Sequence, residues 1–480
     1  MTEEREKFYV TTPIYYVNDK PHIGSAYTTI AADSIARLHR QLGHDVYFLT
    51  GTAEHGDKIA NSAEKAGKDV KAFVDEMSAK FSFAWDQLGI APDDFIRTTE
   101  QRHIDAVILF FNKLKQSGKV YEGIYEGLYC VPHEAFIKES ELVNGLCPDH
   151  LVKPEKVKEK NWFFKLSEYG EILRDKIENN ELAIRPNSRR NEILSFINQG
   201  LEDISISRPR AKFAIPLPWD DTQRIYVWLD ELFNYCSAIG YGTDEVKFKR
   251  YWPADLHLMG KDIIKFHCII WPALLLAIGE MVPQKVFAHG FFTINGQKIS
   301  KTIGNVIDPN DWVAKYGADA VRYFLLREVP FGQDGDVSED KLKTRYNADL
   351  ANGLGNLFSR VTDMIEKYLD GDIGEFVASP KDLTLAWESF AGLDFAAGLT
   401  AIWEEIAWAN KLIDKAKPWE LNKTDPNKVR ELLVNLAALL YDIALKLAPV
   451  MPETANTIRT VLESEKIVKA EPLFLKIDKP

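Results

Sequence analysis

Apolar positions in this chain first run almost unbroken and then fall at helical spacing. EKFYVTTPIYYV reads as a buried strand. In SAYTTIAADSIARLHRQLG, Ile30, Ala31, Ile35, Leu38 and Leu42 share one helical stripe, and Gly43 marks its stop. DVYFLTG is a second strand. Farther on, ADLHLMG and KVFAHGFF read as strands, with IIKFHCIIWPALLLAIG as a helix between them. Strand–helix–strand units repeated in this way predict an α/β fold with a doubly wound parallel sheet. Residues 116–211 break the rhythm with short β-like pieces and the charged run VKPEKVKEKNWFF, which reads as an insertion between two halves of one sheet. Beyond residue 350 the pattern is purely helical. Leu350, Leu354, Leu357, Val361, Ile365 and Tyr368 form one stripe. Phe395, Leu399, Ile402, Ile406, Ala409 and Ile413 form a second. Val429, Leu433, Leu436, Leu440, Ile443 and Leu447 form a third. Three amphipathic helices with polar linkers predict a bundle.

Length adds that two or more domains are needed, since 480 residues exceed one ordinary core. A hydrophobic share of 46% and a charged share of 27% fit a globular protein. The net charge of −12 argues against a protein that coats nucleic acid, though a local basic face remains open. No apolar run approaches the ~20 residues that span a bilayer, and the acidic start MTEEREKFYV lacks a signal core. A cytoplasmic protein without membrane contact is expected. Four cysteines do not make a disulfide framework. Cys130-Val-Pro-His133 and Cys147-Pro-Asp-His150 instead give two C-x2-H pairs at the spacing of one tetrahedral zinc, in an insertion with little core of its own. Four protein ligands would close such a site and make it structural. Cys236 and Cys268 fall in apolar helical runs and read as buried thiols.

Two short stretches carry candidate chemistry. KPHIGSAYTT lies where a strand ends and a helix opens, a place where first-turn N–H groups favour an anion. His22 adds a donor and Gly24 permits close approach; by itself, such a tripeptide is more often a turn. NGQKISKTIGN carries Lys298 and Lys301, three apart, between Gly296 and Gly304. Its bland reading is a solvated basic loop. Two ammonium groups could also close over a polyphosphate and offset developing charge.

Together these stretches resemble the paired HIGH and KMSKS motifs of class I aminoacyl-tRNA synthetases. The wider text is similar to one family among them, the methionyl-tRNA synthetases. VTTPIYYVNDKPHIG, FLTGTAEHGDKI, ISRPR, YVWLDELFNY, MGKDIIKFHCIIWPALL, GQKISKTIGNVIDP, YFLLREVPFGQDG and KPWEL occur in that family's order, over nearly the whole chain. The resemblance implies a Rossmann-type sheet with a zinc-knuckle insertion, followed by an all-α anticodon-binding bundle. Its domains would be residues 1–115, the first half of the catalytic domain, and 116–211, the connective insertion with the knuckle. Then come 212–292, the second catalytic half, 293–349, the lysine-loop and stem-contact region, and 350–480, the anticodon-binding domain.

The implied activity is ATP-dependent activation of L-methionine and its transfer to the 3′-terminal adenosine of tRNA(Met). The catalytic residues implied are His22, Ser25, Lys298 and Lys301. The ATP side adds Gly24, Gly260, Lys261, Asp262 and His289, with Mg²⁺ bound to the nucleotide. The methionine pocket maps to Ile14, Tyr16, Trp228, Tyr235, Ile263 and His267, suited to a thioether that packs against rings. Arg208 matches an arginine of the active-site region. Asn356, Arg360 and Trp419 match the anticodon readers. One structural Zn²⁺ would sit on Cys130, His133, Cys147 and His150. Family dimers often rely on an appended C-terminal domain, so a monomer is expected.

Five positions depart from the family pattern; two of them, Ile299 for methionine and Thr302 for serine in the lysine stretch, are conservative. Ser25 replaces the second histidine of the motif; its hydroxyl can donate to a phosphate or cap the helix. Ala53 replaces the aspartate that holds the substrate's α-ammonium. Glu231 stands where the family has alanine, and either supplies the missing carboxylate or faces solvent. The alternatives are a synthetase paralogue that binds tRNA without charging it, and another class I synthetase. The aromatic pocket and the lack of a large editing insertion argue against the branched-chain enzymes. A cysteine enzyme would use an open zinc.

Overall fold

The computed structural model describes residues 5–130, 135–137, 139–148, 151–209, 211–294, 296–299, 305–374 and 383–477. The chain packs as two units: residues 1–21, 44–83 and 92–289, and residues 22–43, 84–91 and 290–480.

The first unit is built on a seven-stranded sheet. Its strands are β1 (Lys7–Thr11), β2 (Tyr15–Tyr16), β3 (Asp45–Ala53), β4 (Asp94–Arg97), β8 (Ala183–Arg185), β13 (Leu256–Gly260) and β14 (Lys285–His289). The order is β2-β3-β1-β13-β14-β8, with β4 on β3, and the pairings are parallel. The long N-terminal strand expected from the sequence is two pieces. Pro13 has no N–H to offer, so pairing with β3 stops at Thr11↔Leu49 and resumes at Tyr15↔Thr52. Residues 47–53 of β3 are all buried, as a parallel sheet requires.

The insertion forms its own antiparallel sheet from β5 (Val120–Cys130), β6 (Ala135–Ile137), β7 (Glu155–Phe164) and β9 (Ile204–Ser205), ordered β6-β5-β7-β9. A further small sheet joins β10 (Ser207–Arg208), β11 (Pro216–Leu217) and β12 (Asp220–Ile225). The unit's helices used below are Gln101–Gln116, Val227–Leu232, Asn234–Ser237 and Trp271–Ala277.

The helix expected between β13 and β14 begins irregularly. After a 3₁₀ turn at Lys261–Ile263 comes a π turn at Phe266–Ile270, closed by the Trp271 N–H on the Phe266 carbonyl. The cause is Pro272. It cannot donate to the carbonyl four residues back, and its ring would strike that carbonyl in a regular helix, so the turn widens.

The second unit opens with α1 (Ile23–Gln41), which buries the stripe as far as Leu38; Leu42 caps the helix and is exposed, and Gly43 follows at φ +87°. KVFAHGFF divides at Gly290 into β14 and β15 (Phe292–Ile294). A Cβ at Gly290 would lie 2.3 Å from the Gln333 backbone, so only glycine lets these two segments cross. β15 pairs with β16 (Gln297–Lys298) and β17 (Gly335–Asp336).

Then comes α2 (Ala318–Glu328), and after it the bundle. Its helices are α3 (Asn356–Leu369), α4 (Leu383–Ala391), α5 (Phe395–Ala416), α6 (Pro418–Leu421), α7 (Pro426–Leu447) and α8 (Pro452–Leu462). The second and third stripes are buried along their full length in α5 and α7. Leu350 and Leu354 of the first stripe lie on a π-helical stretch, Tyr346–Gly355, that leads into α3. Helices α4, α6 and α8 were not anticipated by the three stripes. Among the described residues, no helix is long and apolar enough to cross a membrane.

Candidate functional site

In the first unit the candidates gather at the carboxyl ends of parallel strands. Ile14 follows β1, Ala53 ends β3, Gly260 ends β13 and His289 ends β14. The chain runs from β1 to β3 on one side and reaches β13 and β14 on the other. The crevice between β1 and β13 is therefore the topological switch point, where open α/β sheets bind ligands. Gly260 and His289 are register partners, and Lys261–Ile263 opens directly from the strand end.

Ile14 and Tyr235 belong to one apolar cluster, with Tyr16, Trp228, Ile263 and Phe266 packed against it. Trp228 stacks on Phe266 at 4.3 Å and meets Tyr16 edge-on at 5.9 Å. His267 is 3% exposed. Its Nδ1 donates to the Ile263 carbonyl at 3.0 Å, so in the neutral ring Nε2 accepts the Tyr235 hydroxyl proton at 2.7 Å. Burial pushes His267 down to about 4 and raises the Tyr235 phenol. Both groups stay uncharged at neutral pH. Aromatic walls around a neutral polar pair whose protons are already engaged suit an apolar side chain.

Glu231 does not face solvent: it is 5% exposed, and its charge contributes, after burial, to the raised Tyr235 phenol. Ala53 is fully buried. Arg208 is likewise no surface cation. It is 8% exposed, donates to Ser205 and the Ser207 carbonyl, and lies over the Tyr226 ring at 4.6 Å.

A network that sequence reasoning missed ties together segments next to this aromatic cluster. Asp230, next to Glu231, accepts from His55 Nδ1 at 2.7 Å and from His103 Nε2 at 2.8 Å. The other nitrogen of His103 meets Ser237 Oγ at 2.8 Å. Burial would raise the Asp230 carboxyl, but the two imidazoles outweigh it and hold it at about 2. One buried carboxylate thus joins GTAEHG, the helix Gln101–Gln116 and the helix Val227–Leu232 that carries it. Beside it, Glu54 accepts from Arg97 through both oxygens and from Thr52. Lone histidines on apolar faces gave no pattern to find; the available signal was His103 interrupting the apolar stripe of its helix.

In the second unit, His22 is the N-cap of α1. Its Nδ1 accepts the Gly24 N–H at 3.0 Å, which places the proton of the neutral ring on Nε2. A Cβ at Gly24 would lie 2.8 Å from His22 Cε1, so the glycine makes room for the imidazole itself. Ser25 Oγ donates to the His22 carbonyl at 2.7 Å and accepts the His22 N–H at 3.1 Å, a complete capping box. The Ile23 N–H donates to the Ile307 carbonyl at 3.1 Å, which brings the chain just past the lysine stretch to the helix terminus. The expected row of open first-turn N–H groups is therefore partly engaged, by an imidazole and by Ile307.

Lys298 pairs with Thr293 in the hairpin β15–β16, whose turn at Gly296 donates its N–H to Asp336 Oδ1 at 2.7 Å. Lys301 lies outside the described residues, as do His133 and His150. Cys130 and Cys147 are both fully buried in one small cluster with Ile137. Among the described residues, no group of three or more His, Cys, Asp or Glu is placed to hold a metal.

Asn356 and Arg360, one turn apart on α3, both reach α5: Asn356 Nδ2 donates to Asn410 Oδ1 at 3.0 Å, and Arg360 meets Asp414 at 2.7 Å. Trp419, on α6 directly after α5, is 45% exposed.

The family of class I tRNA synthetases described as "(M)" matches residues 8–155 and 150–362. The chain is 46% identical to the methionine–tRNA ligase of Thermotoga maritima over 98% of its own length and 80% of that protein's. It is 44% identical to that of Rickettsia felis, with 98% and 94% covered. The solved structure of Mycobacterium tuberculosis methionyl-tRNA synthetase in complex with methionyl-adenylate superposes with a TM-score of 0.91. The identity is 39%, covering 98% of this chain and 99% of that one.

Proposed function

The chain belongs to the methionyl-tRNA synthetases, class I enzymes that ligate methionine to tRNA, and from that membership we propose how its residues divide the work. The observation that carries the assignment to this chain's own side chains is the buried Tyr235–His267 pair within the aromatic wall. The methionine thioether packs against Tyr16 and Trp228, with Ile14 and Ile263 closing the sides. Its carboxylate attacks the α-phosphorus of ATP in line; the bond to the bridging oxygen breaks and pyrophosphate leaves. A ribose hydroxyl at the 3′ end of tRNA(Met) then attacks the carbonyl and AMP leaves.

Gly260, Lys261, Asp262 and His289 take the adenosine side. His22 and Lys301 stabilise the charge that develops on the phosphates, with Lys298 in support. Ser25 acts chiefly through the capping box, which fixes the imidazole of His22. A Mg²⁺ carried by ATP would offset part of the triphosphate's negative charge. The buried Cys130–Cys147 pair in a cluster of few apolar residues supports one structural Zn²⁺, with His133 and His150 as the remaining ligands. Asn356, Arg360 and Trp419 read the anticodon through hydrogen bonds and stacking.

Glu231 takes over the α-ammonium contact that Ala53 cannot make; its burial beside Tyr235 supports this. Methionine-dependent ATP–pyrophosphate exchange tests it. Glu231→Ala is expected to raise the KM for methionine about ten-fold, the size of one charge-assisted hydrogen bond, with a smaller change in kcat. An unchanged KM sinks the exchange of carboxylates. No exchange from a folded, zinc-loaded wild type would favour the paralogue that binds tRNA without charging it.

A further inference from the structure

Arg322, on α2, has no exposed surface and binds three separate segments of the second unit. Its Nε donates to the Val450 carbonyl at 2.7 Å, and its Nη2 to the Pro449 carbonyl at 3.1 Å. Nη1 reaches the Leu88 carbonyl at 3.3 Å. Nη2 also pairs with Asp33 Oδ2 at 2.6 Å and approaches Ser34 Oγ at 3.4 Å. Asp33 in turn accepts from Arg37 at 2.7 Å and from the Ala91 N–H at 3.0 Å.

The segments it joins lead in two functional directions. Asp33 lies on α1, eleven residues after His22, about 16 Å along the same helix. Pro449 and Val450 follow the end of α7, a helix of 22 residues and so about 33 Å long. The far end of α7 begins at Pro426, close in sequence to Trp419 on α6. From the same helix α2, Asp319 Oδ2 accepts the Thr454 N–H at 2.6 Å, at the start of α8. A buried ion pair is weak evidence for stability, because well-packed apolar groups often do as well. A planar guanidinium with donors fanned toward three segments fixes their relative position, which a lysine cannot reproduce.

We propose that Arg322 is a positioning residue that couples occupation of the anticodon bundle to the setting of α1 and its terminal imidazole. The proposal rests on the assignments of His22 and of Asn356, Arg360 and Trp419 made above. A shift of α7 moves the carbonyls of Pro449 and Val450; the guanidinium that holds them also holds Asp33, so α1 responds. Energetic coupling of this kind is reciprocal between two ligands.

The test uses the full chain and two probes: the anticodon stem-loop of tRNA(Met) and a non-hydrolysable methionyl-adenylate analogue. The stem-loop Kd is measured with and without the analogue. In the wild type the analogue is expected to change it about five-fold, and the stem-loop to change the analogue's Kd by the same factor. In Arg322→Lys the factor falls close to one, while each ligand alone binds within about two-fold of wild type. Asp33→Asn, which keeps the shape and weakens the pairing, gives an intermediate factor and serves if the lysine variant does not fold. A merely structural residue would lower the melting temperature or both single-ligand affinities and leave the factor intact. That result, or two ligands binding the wild type independently, overturns the proposal. No stem-loop binding at all overturns the anticodon assignment, and this coupling with it.

Discussion

Replacing Asp230 tests whether the segments it joins are held by charge or only by shape. With the carboxyl at about 2, both oxygens only accept at neutral pH, so His55 Nδ1 and His103 Nε2 must each present an N–H. In Asp230→Asn one of these faces an NH₂ group. His103 can adapt: Nε2 becomes an acceptor, Nδ1–H donates to Ser237 Oγ, and that hydroxyl donates to the Asn234 carbonyl at 3.1 Å. Both hydrogen bonds survive but lose charge assistance, at a cost of about 2 kcal/mol in all. Asp230→Ala leaves two buried imidazoles unmatched and costs about 3–5 kcal/mol. Urea unfolding at pH 7, followed by tryptophan fluorescence, separates the two. The pH dependence supplies a second reading. A depressed carboxyl contributes stability that is complete above its ordinary value of 3.8 and lost as pH falls toward about 2. A shift of that size is worth about 2 kcal/mol, so the gap between wild type and Asp230→Asn should close between those pH values. Equal losses for Asn and Ala, or a gap that does not change with acid, would refute the reasoning.

Gly24→Ala puts a methyl within 2.8 Å of His22 Cε1 and drives the imidazole off its cap; kcat for pyrophosphate exchange should fall about ten-fold or more, with the melting temperature little changed. Tyr235→Phe removes the donor to His267 Nε2, and urea unfolding should show a loss of about 1–3 kcal/mol, as expected for one buried acceptor left unmet. Because burial pushes His267 down to about 4, the wild-type KM for methionine should not vary through this group between pH 6 and 8. Trp419→Ala should raise the KM for tRNA about ten-fold, the worth of one stacked base, and leave tRNA-independent exchange unchanged.

The stripes of α1, α5 and α7 were legible because a core helix must repeat its apolar contacts every three to four residues. The parallel sheet was legible because its strands are buried on both faces and so nearly unbroken in apolar character. What escaped were features with no period. Pro13 divides a strand and Pro272 widens a turn, and each acts through one missing N–H. The site residues showed the same contrast. Tyr235 and His267 were found by resemblance to a known order of motifs, whereas His55, His103 and Asp230 meet from three distant segments. The role of Gly24 changed as well: the space it leaves is filled by its neighbour's imidazole. The capping box at Ser25 was foreseen only as one of two uses for a hydroxyl.

The wide turn at Phe266–Ile270 carries one residue more than a regular helix needs between Ile263 and Trp271. It therefore acts as a phase adjuster, setting which way Ile263 and His267 face relative to the apolar helix that follows. Deleting a single residue there would let the helix run regular and swing those side chains by roughly 100°, the angle per residue of an α-helix. Here the number of residues, as much as their chemistry, aims the imidazole.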